Sequence, residues 1–545
     1  MSAFRFAVNC TKVIGDVPAL AHAVMGNMAY NLIRTGVRLQ KTLEGISEQP
    51  LLRRLMCPLS TGMGIDKGTG LYRERADGSP VFDFTILDQV LACMVGPKCI
   101  PFFGIAFMPK DLSSALSLAK PAEGEADLPP EAKLKAARAK LPEPWMQVDR
   151  FPPRDYQRWS EVVRTTVRHL IERYGREEVS RWHFDFWNEP DLRFYWVESH
   201  EEFFRTYDFA AAAVKDVLPE AKVGGCGVAD PRHAIFKEFL EHCHSGENRA
   251  TGGRGAPLDF ITFHVKGGPT GRKGIFLDPW LATDYERRQP SLTHVLDTVR
   301  CGLQLIGSIE GTKGLPVFLT ECDIDWGTGT SIYHNPNMHY RNSEYFPTFE
   351  CALVTRLLDL RAQFPDNPLQ AGFLDTFFSP GFRIFEGQRT LITGDCIDKP
   401  ILNGLRLLGK LGRRRLAVSG KEGGPIDVLA TVTSEGLPRV MAVNFNEQFA
   451  YADQHAVSIE LEELSAGPWE CRHYRIDRNH SNAYTVWLTM GRPVVPDDGQ
   501  LAAIQARMGL ELAEPSFPLG AAEGKVALET ALPPQSVSLW VVDRA

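Results

Sequence analysis

Eight short, nearly continuous apolar runs rich in β-branched and aromatic residues recur at wide spacing in this chain, at residues 4–9, 51–57, 99–107, 182–188, 221–226, 258–265, 315–320 and 369–378. A run without polar alternation suits a strand covered on both faces, as in a parallel sheet whose crossover helices lie outside it. Helical periodicity fills the gaps. In RDYQRWSEVVRTTVRHLIERYG, residues 154–175, Trp159, Val162, Val163, Val167, Leu170 and Ile171 fall on one face and a glycine closes the segment. HEEFFRTYDFAAAAVKDVL and SLTHVLDTVRCGLQLIG repeat the pattern. Eight such alternations outnumber the about five or six strands of a doubly wound sheet, so the expected fold class is α/β, a (β/α)8 TIM barrel.

After Gly412 the period changes. DVLATVTS, RVMAVNFNE, AVSIELEEL, WECRHYRID and SVSLWVVD alternate and lack long helices between them, as antiparallel strands do. The expected division is a catalytic barrel over residues 1–412 and a C-terminal β-sandwich domain over 413–545, joined by a short N-terminal stretch. The 545 residues leave room for both, since a barrel takes about 250 to 400. Residues 118–145, rich in Pro, Glu and Lys, read as a solvated excursion after the third strand.

Composition narrows function by exclusion. Acidic residues number 67 and basic residues 60, a formal charge of −7, so no cation excess is available to neutralise nucleic-acid phosphates. No window approaches 18 consecutive apolar residues, and MSAFRFAVNCTKVIGDVPAL has no basic region leading into a long apolar run. The expectation is a cytoplasmic protein with neither a membrane nor a nucleic-acid partner. The 11 cysteines are scattered without CxxC spacing and read as reduced, mostly buried thiols. No cofactor or metal is expected. GGCG at 224–227 lacks the spacing and lysine of a phosphate loop, and His242, Cys243 and His244 are adjacent residues that point apart.

Chemistry in a (β/α)8 barrel gathers at the C-terminal ends of the strands. The fourth run, RWHFDFWN, leads straight into Glu189 and Pro190, and the seventh, LPVFLT, into Glu321. A glutamate at a strand tip is by itself usually a salt-bridged surface residue. Two at nearly opposite strands can converge across the mouth, and paired carboxylates suit glycosidic-bond cleavage: one protonates the leaving oxygen and the other meets the charge at the anomeric carbon. In WNEP an aromatic ring, an amide and a carboxylate stand together, the groups a sugar site needs. Spacing alone does not establish that the two glutamates pair.

These residues carry a resemblance. WHFDFWNEPDL, with PPRDYQRWSEVVRTTVRHLIERYG before it, resembles the acid/base segment of glycoside hydrolase family 39, the family of β-xylosidases and α-L-iduronidases. FLTECDID resembles its nucleophile segment, PVFDFTILDQVLACMVGPKCIPFFGIAFMP the stretch between its second and third strands, and IDKPILNGLRLLGKLG and HYRIDRNHSNAYTVWLTMGRP its barrel exit and sandwich. The resemblance implies a retaining double displacement with Glu189 as general acid/base, Glu321 as nucleophile and Asn188 bonded to the sugar 2-hydroxyl. It also makes a sandwich-mediated homo-oligomer plausible. One departure is visible: LLRRLMCPLS offers Arg53, Arg54, Met56 and Cys57 where the family carries an arginine and a histidine.

The sugar is less constrained. His264 and Lys266 on the sixth strand and Arg389 after the eighth are candidate substrate contacts, with Trp196 and Trp326 as aromatic ones. Lys266 and Arg389 could anchor a uronate carboxylate, Arg by its bidentate fork, or Lys266 could be a structural ion-pair partner. YRNSEY, IDKP and HSNAY resemble bacterial β-xylosidases. The expectation is an exo-acting glycosidase releasing β-D-xylose from short xylo-oligosaccharides or xylosides. The alternatives are a uronic-acid glycosidase, α-L-iduronidase-like or β-glucuronidase-like, and a non-catalytic carbohydrate-binding barrel.

Overall fold

The computed structural model describes residues 4–25, 31–61, 68–118, 148–268, 289–325, 331–333, 336–375, 383–387, 389–420, 424–520 and 524–545. Eight parallel strands close into a barrel: His22–Met25, Leu51–Leu55, Cys99–Ile105, His183–Phe186, Lys222–Val228, Phe260–Lys266, Val317–Asp323 and Leu369–Asp375. The last pairs with the first, Phe373 opposite His22, and leaves no edge. The connecting helices follow the sequence pattern. Tyr156–Tyr174 is capped by the Asp155 carboxylate, which accepts from Arg158 N at 3.0 Å, and is closed by Gly175 at φ +86°. Trp159, Val162, Val163, Val167 and Leu170 are buried on its inner face. His200–Val217 and Leu292–Gly307 start from Ser199 and Ser291 caps.

One strand reading is corrected. Residues 4–9 do not open the barrel; Phe4–Asp16 pairs antiparallel with Arg414–Ser419 and parallel with His455–Glu462 in the C-terminal sheet. The physical reason lies in its alternation: Phe6 and Val8 are buried while Arg5 is exposed, the signature of a strand with one wet face. The barrel begins instead at His22–Met25, four residues, too few to show a period.

The C-terminal domain is one mostly antiparallel ten-stranded sheet folded over a core that includes Val8, Val428, Val440, Ile459 and Trp540. Its strand Ile426–Val432 is buried along its whole length because it serves two cores: Val428 and Ala430 face the sandwich, while Leu429 joins the barrel's cluster through the helix Tyr345–Gln363. Two short helices, Ala483–Thr489 and Asp498–Gln505, interrupt the domain. No helix among the described residues is long and apolar enough to cross a membrane. The 118–145 excursion lies, after Leu118, outside the described residues.

Inside the barrel, Leu52, Phe102, Phe260, Phe318 and Phe373 form a plug, with Phe102 centred 5.1 to 5.3 Å from the other three rings. This floor fills the N-terminal half of the lumen. Chemistry is left to the upper ends of the strands.

Candidate active site

The polar mouth is built by strand parity. On the sixth strand Thr262, His264 and Lys266 stand two residues apart above Phe260 and share the inward face. On the seventh, strict alternation from Phe318 would bring Thr320 inward and turn Glu321 out. The register slips instead: Phe318 pairs with Thr262, but Glu321 pairs with His264 and Asp323 with Lys266. The extra residue is a β-bulge, which re-aims every side chain beyond it. Glu321 and Asp323 thereby enter the lumen beside His264 and Lys266.

Glu189 arrives by a different route. After His183–Phe186 the backbone turns through Trp187 at φ +66° and Glu189 at φ +46°, conformations costing a non-glycine residue about 1–2 kcal/mol each. The Glu189 N–H donates to Gly227 O at 2.8 Å, and the Trp187 indole N–H to Tyr195 O at 2.9 Å, which hold the turn. Trp196 packs edge-on against Trp187, centroids 5.1 Å apart.

The two carboxylates meet at His264. Its Nδ1 lies 2.9 Å from Glu189 Oε1 and 3.9 Å from Glu321 Oε1. An oxygen of each glutamate and a nitrogen of His264 lie within 4.8 Å of one another. Lys266 donates to both Glu321 and Asp323. Arg54, fully buried, donates from Nε to Asp185 at 3.0 Å, from Nη1 to Asn188 Oδ1 at 3.2 Å and to Glu321 Oε1 at 3.3 Å, and from Nη2 to Trp187 O at 3.3 Å. One guanidinium thus ties the second, fourth and seventh strands together. Behind Lys266, Arg389 donates to Asp375 at 2.9 Å and lies 3.4 Å from Asp323.

The charges are unequal in effect. Burial pushes the Glu321 carboxyl up, but Lys266, His264 and Arg54 outweigh it and hold the group well below the usual carboxylate range. Burial pulls Lys266 and Arg389 down, and their carboxylate neighbours more than compensate, keeping both charged. Asp375 is pushed up to about 6, first by burial, with Arg389 opposing and Asp323 and Glu321 adding to the rise. Asp191 rises to about 7, first by burial, with the charge of Glu189 contributing.

Of the sequence-derived candidates, Asn188, Glu189, His264, Lys266, Glu321 and Arg389 gather in this cluster. Trp196 stands behind Trp187 at 3 % exposure, and Trp326 lies outside the described residues. Arg54, Asp185, Asp323 and Asp375 carry the network and were not singled out as site residues. A signal existed: two arginines inside LLRRL, a strand buried along its length, require buried acceptors. Glu189, His264 and Glu321 also have the spacing of a metal triad. Arg54 and Lys266 already bring two positive charges to Glu321, which disfavours a cation there.

A closed eight-stranded barrel with two facing carboxylates at the C-terminal ends of its strands has the arrangement that barrel glycosidases use. Residues 140–515 match the profile of glycosyl hydrolases family 39, and the chain belongs to that family. A β-xylosidase of Caldicellulosiruptor saccharolyticus is 26% identical over 428 residues, 76% of this chain and 74% of that protein. The α-L-iduronidase of Canis lupus familiaris is 37% identical over 114 residues, 20% of this chain and 17% of that protein. The crystal structure of a monomeric β-xylosidase from Caulobacter crescentus superposes with a TM-score of 0.76 at 19% identity, covering 99% of this chain and 100% of that one. The protein is therefore a glycosidase, with an oligosaccharide or glycoside as substrate.

Proposed function

We propose that the chain is a retaining exo-glycosidase that releases β-D-xylose from short xylo-oligosaccharides or xylosides. The observation that carries the mechanism is the approach of Glu189 and Glu321 to within 4.8 Å, since retaining enzymes keep their carboxyl groups about 5–5.5 Å apart and inverting ones leave room for a water. Glu321, kept ionised by Lys266 and Arg54, attacks the anomeric carbon while Glu189 gives its proton to the glycosidic oxygen. The alcohol leaves and the sugar is held as an ester on Glu321. Glu189, now a base, takes a proton from water, which attacks the same carbon and frees the sugar with retained configuration. Asn188, held by Arg54, is set to bond the sugar 2-hydroxyl.

The xyloside reading is supported by β-xylosidases that align over about three quarters of both chains and by the engagement of the site's cations with its own carboxylates. A second reading, a uronide substrate, is favoured by Lys266 and Arg389 standing beside the glutamate pair. A uronate would have to share Lys266 with Glu321 and Asp323, and Arg389 with Asp375. Initial rates on aryl β-D-xyloside, aryl β-D-glucuronide and aryl α-L-iduronide, measured side by side, decide: preference for the xyloside is expected, and preference for either uronide overturns it. Glu321→Ala is expected to abolish turnover and azide to restore it with an inverted product. Restoration with retained configuration would remove Glu321 from the nucleophile role.

A further inference from the structure

A cavity of about 680 Å³ opens between residues 331–333 and 336–345, which come after the nucleophile strand, and the helix Ala483–Thr489 of the sandwich. It falls within the size range of ligand pockets, about 300–1,000 Å³. Tyr333, Tyr345, Phe449, Tyr484 and Trp487 contribute its aromatic walls. The helix is not loosely laid there: Trp487 and Tyr484 pack on Phe385 of the loop after the eighth strand, with centroids 5.5 and 5.2 Å away. A layer formed by Asp325, which accepts from Arg341 Nε at 2.7 Å and from the Tyr340 hydroxyl, follows Glu321 in the chain and contributes nothing to the cavity lining.

The lining also holds polar groups set for a ligand. Gln535, 7 % exposed, donates from Nε2 to Asn446 O at 2.7 Å, yet its Oε1 is buried without a partner. A buried acceptor left unpaired costs roughly 1–3 kcal/mol, a cost a ligand hydroxyl would remove. Glu344, also in the lining, accepts from Asn482 Nδ2 at 3.0 Å, and burial pushes its carboxyl up. Tyr333 is covered on one face by the Arg383 guanidinium, 3.6 Å from the ring centre, and remains 44% exposed.

We propose that this cavity is a second carbohydrate site, which takes a neutral sugar ring by stacking it on the aromatic walls while a ring hydroxyl donates to Gln535 Oε1. Flat aromatic surfaces edged by hydrogen-bonding groups, here Arg478, Arg492 and Glu344 besides Gln535, suit the apolar face and hydroxyl rim of a pyranose. The inference goes beyond the proposed reaction and does not depend on which sugar is cleaved. The ring can belong to the remote end of the chain being hydrolysed or to a separate chain.

The test is calorimetric titration of xylohexaose, and separately of cellohexaose, into the Glu321→Gln protein with and without Gln535→Met or Tyr333→Ala. Each of the two is expected to weaken binding of at least one hexasaccharide by about ten-fold, with the unfolding temperature unchanged. In the active protein, a parallel rise in KM for that hexasaccharide assigns the ring to the substrate chain. An unchanged KM with loss of a second calorimetric site assigns it to a separate chain. No binding of either hexasaccharide, or unchanged affinity in both variants, overturns the proposal. Absence of turnover on every glycoside, with the calorimetric loss intact, would sink the catalytic reading and leave this one standing.

Discussion

Lys266 serves two carboxylates with one ammonium, and this sets how the site responds to acid. Glu321 is held below the ordinary carboxylate range because Lys266, His264 and Arg54 favour its charged form more than burial disfavours it. Its ionised form therefore persists as pH falls through the range where free glutamates protonate, and is lost only below it. Removing the Lys266 charge raises the Glu321 pKa. Lys266→Met is accordingly expected to move the acid limb of kcat/KM on a neutral aryl glycoside to higher pH, read from a pH–rate profile. An acid limb that stays in place, with only KM raised, would assign Lys266 to substrate contact instead. Lys266 and His264 were legible as candidates because FITFHVKGGP reads as the sixth strand and a lysine there could meet a uronate carboxylate. Asp323 and Asp375, which pair with Lys266 and Arg389, were not, since they come from runs far away in sequence whose register no local pattern reveals.

At the scale of elements, the N-terminal strand Phe4–Asp16 lies between Arg414–Ser419 and His455–Glu462 and fills the sandwich core with Phe6 and Val8, each contributing about 1.5–3 kcal/mol of apolar burial. Deleting residues through Asp16 leaves two unpaired strand edges at the middle of the sheet. The truncated chain is expected to aggregate and to lose its cooperative thermal transition, measured by circular dichroism and size-exclusion chromatography, although every proposed catalytic residue is retained. A truncated chain that melts like the parent would refute the strand's role. The bulge in Val317–Asp323 shows the complementary limit of sequence patterns. LPVFLTECD reads as an apolar run ending in a carboxylate, but which way Glu321 points depends on a one-residue slip against Phe260–Lys266, set by pairing across strands.

At the scale of the whole molecule, barrel and sandwich share one core. The helix Tyr345–Gln363 is buried almost all round, and Leu429, Met441, Val443 and Leu539 of the sandwich pack in the same cluster as Leu319 and Leu353 of the barrel. Arg356 and Asp427 bridge the two at 3.0 Å, and the Tyr345 hydroxyl donates to Glu447 O at 2.8 Å. Scanning calorimetry is expected to show a single heat-absorption peak, because neither part can expose that shared face alone. Two well-separated peaks would contradict a common core. Periodicity and chain order are local properties, and from them follow the alternation of strands and helices, the change of period near Gly412 and the placing of Glu189 and Glu321 near the C-terminal ends of their strands. That the first strand leaves the barrel for the sandwich, that a bulge turns Glu321 inward, and that Arg54 joins three strands is fixed by long-range pairing. Each of these depends on which distant segments come to lie side by side, and burial energy is settled only once they do.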